Sequence, residues 1–514
     1  MNFSKLLQCK FRDFGIAAVV TLSLFSCQSS EKLRREASQA YRVGEVAHAA
    51  NLLDEAIRIE DPSIPAGEGP PPPKQWKLDN GDAPLIALER AMVYLRQGDT
   101  TDAAELLRAC RNELRARRLD TFLKYVGLDG ISAASSLLVG DWVLPYSAPS
   151  YEELTAHALL MLVARLDFQA NTDGAAPFAN GFHSVQDELL KSSYGVQYED
   201  LIKRPEQTLA FGHYIEGAIR EEGNVDAAIP AYSVAAKALS GQSIVDAALI
   251  RARSLQREPT GSPVHVFYLL GNGPQLESSR WQPKESDPYI EAAVRIVTTA
   301  IDIIKRTLVD GEDYHLADGL IKNLTEAPIP VPFLVTGDPH IRPTSSARIS
   351  FDTAGTVQAV ESPIEPIADF HSIAKTNLES LRIMRMSRAL LRRALKEASL
   401  QTIGNSVLRD ATRLLATVAE DADTRLWSTL PAEICTARLV APPGQHELVL
   451  GLEGAGTVPI QVAEGRGTWV VVIDSGEAVP RPTILVDALS RVEPTPSANT
   501  DSVPHETPPP EPLQ

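Results

Sequence analysis

The residues best suited to chemistry lie in one stretch of the C-terminal third. Between Asp421 and Leu450 stand Asp423, Arg425, Trp427, Leu430, Pro431, Arg438, Gly444 and His446. A carboxylate, a guanidinium and an imidazole can form a catalytic cluster, in which the carboxylate orients the imidazole and the guanidinium holds an anion. The usual companions of such a cluster are missing from the sequence: no nucleophile elbow, no paired Glu with an oxyanion feature, no phosphate loop. The same residues make a good structural junction. Asp423 and Arg425 can fix a helix end to the next segment through charge-assisted hydrogen bonds. Trp427 plugs a helix–sheet interface, Pro431 stops a helix, and Pro443-Gly444 turns the chain into the strand carrying His446. The junction is the favoured reading, and no catalytic residue is expected. The ten histidines are scattered. No HExxH occurs, and no two sit at close ligand spacing with a third nearby, so neither a metal nor another cofactor is expected. Gly271-Asn272-Gly273 lacks the remaining glycine of a dinucleotide fingerprint and reads as a hairpin turn.

A second reactive group is the thiol of Cys27. Lys5, Lys10 and Arg12 precede the apolar run Phe14 to Phe25, which ends in Leu24-Phe25-Ser26-Cys27. A run of about 12 apolar or small residues is too short to span a bilayer but suits a signal peptide. Small Ser26 before Cys27 matches a bacterial lipobox, where sulfur is the nucleophile that takes the diacylglyceryl group. Residues 1–26 are then the signal, and the mature chain begins at an acylated Cys27. Several acyl chains on one residue hold a protein durably to a membrane. Gln28, where Asp would favour inner-membrane retention, points to the outer membrane and a periplasm-facing location. Of the four cysteines, Cys9 falls in the signal, and Cys110 and Cys435 are expected as buried free thiols.

These groups need a frame. Over 514 residues, 44% are hydrophobic, 22% charged and only 6% aromatic, with a formal charge of −17. That is the composition of a globular chain of two or three domains. Its acidity argues against nucleic acid as a partner. A weak repeat lies in residues 31–240, within a helical domain expected over 27–254. Gly44, Gly98 and Gly223 are each followed five residues later by Ala49, Ala103 and Ala228. Seven residues beyond those stand Ala56, Cys110 and Ala235. Glycine turns between helices, with small residues at a seven-residue step, describe helical hairpins packed closely. Residues 61–81, with Pro70 to Pro73, form an extended surface loop for which disorder is favoured.

Residues 255–490 read as α+β. Short strand-like runs at Pro263 to Leu270, Val331 to Val335, Ala347 to Phe351 and Thr356 to Val360 precede a long helix, 367–400. A second group, Ala437 to Val440, Glu447 to Leu450, Ile460 to Ala463 and Trp469 to Ile473, follows it. Whether the two groups share a sheet is open. On the helix, Arg382, Arg385, Arg388, Arg392 and Lys396 fall within about a third of the circumference. They form either a solvated face paired with the chain's own carboxylates, which is favoured, or a surface for anionic glycan or an acidic partner. The tail, 491–514, is proline-rich and expected to be disordered.

The order of helical repeats, Arg-rich helix, Ala422-Asp423-Thr424-Arg425-Leu426-Trp427-Ser428-Thr429-Leu430-Pro431, Ala437-Arg438, Pro443-Gly444-Gln445-His446 and the strand Gly467 to Val472 resembles an uncharacterised family of bacterial lipoproteins with tetratricopeptide-like helices. The resemblance is specific over Asp421 to Val472. It implies a mainly α fold, an α-solenoid followed by a smaller α+β region, and a non-catalytic scaffold that meets other envelope proteins, lipoproteins among them. The alternative is a peptidoglycan- or glycan-binding or glycan-processing envelope protein that uses the basic helix. A small-molecule substrate is not expected. Radiolabelled palmitate fed to expressing cells should mark the wild-type chain and leave Cys27→Ala unlabelled; label retained by the variant would place the lipid elsewhere.

Overall fold

In the computed structural model the described residues are 30–64, 71–119, 145–167, 176–192, 210–254, 261–281, 329–335, 346–353, 356–380, 422–475 and 482–492, with parts of 381–393. The helical part comprises α1 (30–42), α2 (Val46–Glu60), α3 (Ala83–Gln97), α4 (Thr100–Leu119), α5 (Ser150–Leu166), α6 (Ala176–Ser192), α7 (Ala210–Gly223), α8 (Val225–Ala238) and α9 (Ser243–Ser254). Each helix from α2 to α9 packs on the next in sequence, except that α7 also reaches back to α5. The hairpin turns follow their chemistry. Gly44 and Gly98 stop α1 and α3 in the left-handed conformation, at φ 81° and 85°, which costs a residue without a Cβ little. At the third turn Asn224 caps α8 by accepting the Asp226 N–H at 3.0 Å. The repeated small residues Ala49, Ala56, Ala103, Cys110, Ala228 and Ala235 are all fully buried. Cys110 thus occupies an alanine-like packing slot, and both it and Cys435 are free thiols.

Five strands form the central sheet, in the order β11 (Thr483–Val486), β10 (Thr468–Asp474), β1 (Ser262–Leu270), β7 (Glu433–Ala441) and β6 (Glu365–Asp369). Strand β1 runs parallel to β10 and antiparallel to β7. A second sheet has the order β5 (Thr356–Pro363), β4 (Ser346–Thr353), β8 (Gly444–Val449), β9 (Thr457–Val462), and β2 (Gln275–Trp281) pairs with β3 (Ile329–Val335) in a two-stranded sheet. The central sheet is covered twice. Phe267, Leu269, Trp469, Val471 and Ile473 join the helical core. Their neighbours Val264, Val266, Tyr268, Val470 and Val472 pack on Ile349, Leu448 and Ile460 of the second sheet. Burial on both faces is why β1 and β10 read as unbroken apolar runs.

The fold is mixed α+β. The two β groups interleave: β1 pairs with β7 and β10, and β4 with β8. Three expectations change. The long helix does not begin at Ile367, because Glu365 to Asp369 pair with β7 as β6. Helix α10 (Phe370–Ser380) begins only where Asp369 caps it, accepting the Ser372 N–H at 3.0 Å and its hydroxyl at 2.7 Å. The described part of the proline loop, 61–64 and 71–81, is packed, not loose. Pro71, Pro73 and Trp76 are buried, and the Trp76 indole donates to the Pro71 carbonyl at 3.0 Å. The tail's first residues are also tied down, Arg491 bridging to Ile460 of β9. Among the described residues no helix is long and apolar enough to cross a membrane.

Helices α7 and α8 meet closely at Gly217, where an added Cβ would lie 2.5 Å from the Tyr232 ring. Tyr232 is fully buried, and its hydroxyl donates to Glu221 at 2.7 Å, so the ring has little room to yield. Gly217→Ala should therefore lower unfolding free energy by about 1–3 kcal/mol in urea denaturation, the usual cost of overpacking.

Candidate functional site

Residues 422–430 cross the helices without being part of any helix or sheet. Their backbone groups need partners from elsewhere, and side chains of three helices supply them. Arg34 of α1 donates to the Leu426 carbonyl at 3.4 Å. Glu152, in the first turn of α5, accepts the Trp427 N–H at 3.1 Å. Glu89 of α3 accepts the Ser428 N–H at 3.3 Å and its hydroxyl at 2.6 Å. Arg34 and Glu89 also pair with each other at 2.9 Å. Trp427 is fully buried, and its indole donates to the Thr429 hydroxyl at 3.1 Å.

The segment is anchored at its start by Arg425. Its guanidinium donates to both Asp423 oxygens, each at 2.8 Å, and to Asp82 at 2.7 Å. Asp82 immediately precedes α3, and Glu89 lies two turns further along it, so one helix provides both fixings. Burial works against the charged form of Asp423, but Arg425 outweighs it and holds the carboxyl at about 2.

The two glutamates are fully buried. Burial drives the Glu152 carboxyl up to about 7, against the pull of hydrogen bonds from Tyr146, the Trp427 N–H and Tyr151. Burial likewise raises Glu89, opposed by Arg34 and Ser428. A raised carboxyl beside a second carboxylate is the arrangement of an acid–base pair. Here both groups are turned onto the chain's own backbone.

The remaining expected residues lie apart from this junction. Pro431 leads into β7 and ends no helix, since the described residues before it are extended and then form a turn. Arg438, on β7, lies opposite His265 of β1. Its guanidinium is 3.9 Å from Glu221, which Arg251 clamps at 2.6 and 2.9 Å. Gly444 opens β8, where His446 Nε2 donates to the Pro442 carbonyl at 2.6 Å and the ring meets Phe351 edge-on. His446 is therefore not brought to Asp423 and Arg425, and the three form no cluster. Of the basic stripe, Arg382 stands over the Trp281 ring at 5.9 Å. Arg385 is half-buried, and its charge helps to lower Asp423. Arg388, Arg392, Lys396 and Cys27 lie outside the described residues.

Sequence reading missed Arg34, Glu89 and Glu152, which sit on ordinary-looking helices. It also missed a second cluster. His183 of α6 and His213 and Glu216 of α7 present three potential ligand atoms, all within 4.8 Å of one another. His213 and Glu216, three apart on one helix, were legible as a same-face pair; His183, 30 residues upstream, was not. Compared with known proteins, the chain matches no family model, no curated protein and no solved structure.

Glu152 gives the junction a pH signature. Its carboxyl holds a proton up to about 7 when folded, against an ordinary 4.5. Between these values the folded chain binds the extra proton. The stability contributed by the neutral form is complete at low pH and is lost as pH rises through 7. The loss amounts to about 3 kcal/mol. Denaturation at pH 5 and pH 8 should show Glu152→Gln with a correspondingly smaller fall in stability than wild type; equal falls would contradict the assignment.

Proposed function

We propose that this chain is a membrane-anchored, non-catalytic interaction scaffold of the bacterial cell envelope. In this reading it is lipidated at Cys27 and faces the periplasm, and its helical hairpins stack as a tetratricopeptide-like solenoid. The observation that carries the proposal is the grip on residues 426–428. Helical stacks hold extended chain by offering polar side chains to successive backbone groups. Here Arg34, Glu89 and Glu152 meet the Leu426 carbonyl, the Ser428 N–H and the Trp427 N–H in that manner. Because the chain's own segment fills this surface, a partner protein is left the outer faces of the hairpins. The commitment of both buried glutamates to main chain supports the non-catalytic part. The inward position of Arg385, close to Asp423 and Tyr151, favours internal use of the basic stripe over glycan binding.

Other envelope proteins, lipoproteins among them, are the expected partners. Crosslinking in intact cells tests this. Photoreactive residues at exposed positions of α2, α4 and α8 should capture one envelope protein repeatedly, and Cys27→Ala should abolish the capture. Capture of glycan alone, or of nothing while the lipid anchor is intact, would overturn the scaffold reading.

A further inference from the structure

Gly212 of α7, having no side chain, lets the Phe182 ring of α6 pack directly against it. A Cβ there would fall 2.3 Å from the Phe182 ring. The close contact sets His183, next to Phe182, beside His213, next to Gly212. Their rings lie 5.8 Å apart between centroids, inclined at 73°. Glu216, one turn along α7 from His213, completes the group. Its Oε2 is 3.2 Å from His213 Nδ1 and 4.0 Å from His183 Nδ1.

The carboxylate is oriented from behind. Arg220 donates to Glu216 Oε1 from Nε at 2.9 Å and pairs with the same oxygen through Nη2 at 2.9 Å. That leaves Oε2 aimed at the two imidazoles, the outer-shell positioning that metal sites use. His213 is fully buried between α6 and α7, stacked edge-on against Phe182 at 5.2 Å. Among the described residues its second ring nitrogen, Nε2, has no hydrogen-bond partner, so the imidazole is held through Nδ1 alone.

We propose that His183, His213 and Glu216 form a binding site for a divalent transition metal, with zinc the best match. Two imidazoles and one carboxylate are a donor set suited to zinc and disfavour calcium and magnesium, which take oxygen ligands. Ligand bonds of about 2.0–2.2 Å place tetrahedral ligand atoms about 3.3 Å apart. The separations here, 3.2 and 4.0 Å from Glu216 with all three ligand atoms within 4.8 Å of one another, need an adjustment to reach this. His183 supplies it, since its side chain is 46% exposed at the helix surface. The same exposure leaves the fourth coordination position to water or to a ligand arriving from outside. Metal binding would clip α6 to α7 independently of the buried junction under Trp427.

The test uses the untagged full-length protein, stripped with chelator and titrated with zinc against a chromophoric competitor. Wild type should take up one equivalent and gain thermal stability, and cobalt in place of zinc should give the visible absorption of a four-coordinate nitrogen–oxygen site. His183→Ala removes an exposed ligand without disturbing the core, and Glu216→Gln keeps the shape while removing the charge. Each should lose at least about tenfold in affinity, together with the zinc-dependent rise in Tm. No stoichiometric uptake by wild type, or uptake with unchanged affinity in both variants, would overturn the site.

Discussion

Two carboxylates placed where water cannot reach them set the terms for the rest of this structure. Glu89 and Glu152 are fully buried, and an ionisable group in that position is tolerable only when hydrogen bonds or an opposite charge surround it. Arg34 meets one of them, two tyrosines meet the other, and both close on the backbone of residues 427 and 428. The dependence runs both ways. The extended segment has no ladder of its own, and each carboxylate accepts one of its backbone N–H groups. Removing one member of such a group costs about 3–5 kcal/mol, because the remainder is left buried and unpaired.

The position of this junction explains its reach. Residues 422–430 lead directly into β7, the strand between β1 and β6 in the central sheet. Fastening the segment to α1, α3 and α5 therefore fixes the sheet's height and angle against the helices. A second fastening lies at the other side of the sheet. Arg165, near the end of α5, donates to Glu222 at 2.8 Å and to the Gly467 carbonyl at 2.9 Å, while the Trp469 indole donates to Glu222 at 2.6 Å. Both rely on α5, which is buried on nearly every face. The helical core and one face of the central sheet merge into one apolar cluster around these polar fixings, while the other face packs on the second sheet.

Sequence legibility followed the range of the interactions. Positions fixed by local backbone chemistry were readable: Gly44 and Gly98 as turns, the small residues at a seven-residue step as contact points, β1 and β10 as strands. Trp427 was recognisable as a plug, because a large indole amid Leu426 and Leu430 has few other uses. Pairing across distance was not readable. Glu89 and Glu152 look like ordinary helical glutamates, and only the fold brings them to backbone partners 339 and 275 residues away in sequence. The start of α10 was misplaced for the same reason, since Ile367 is apolar in either a helix or a strand and β7 decides the outcome. His446 lies near Arg425 in the sequence, but the turn at Gly444 carries it into the other sheet.

Native-state hydrogen exchange tests the central claim most directly. If residues 426–428 hold helices and sheet together, the amide hydrogens of Trp427 and Ser428 exchange only when the whole protein opens. Their protection should then equal that of Phe267 and Val470 in the central sheet and respond to denaturant with the same slope. Exchange through a separate, lower-energy opening, with the sheet amides still protected, would show that the segment rests on the core without holding it together.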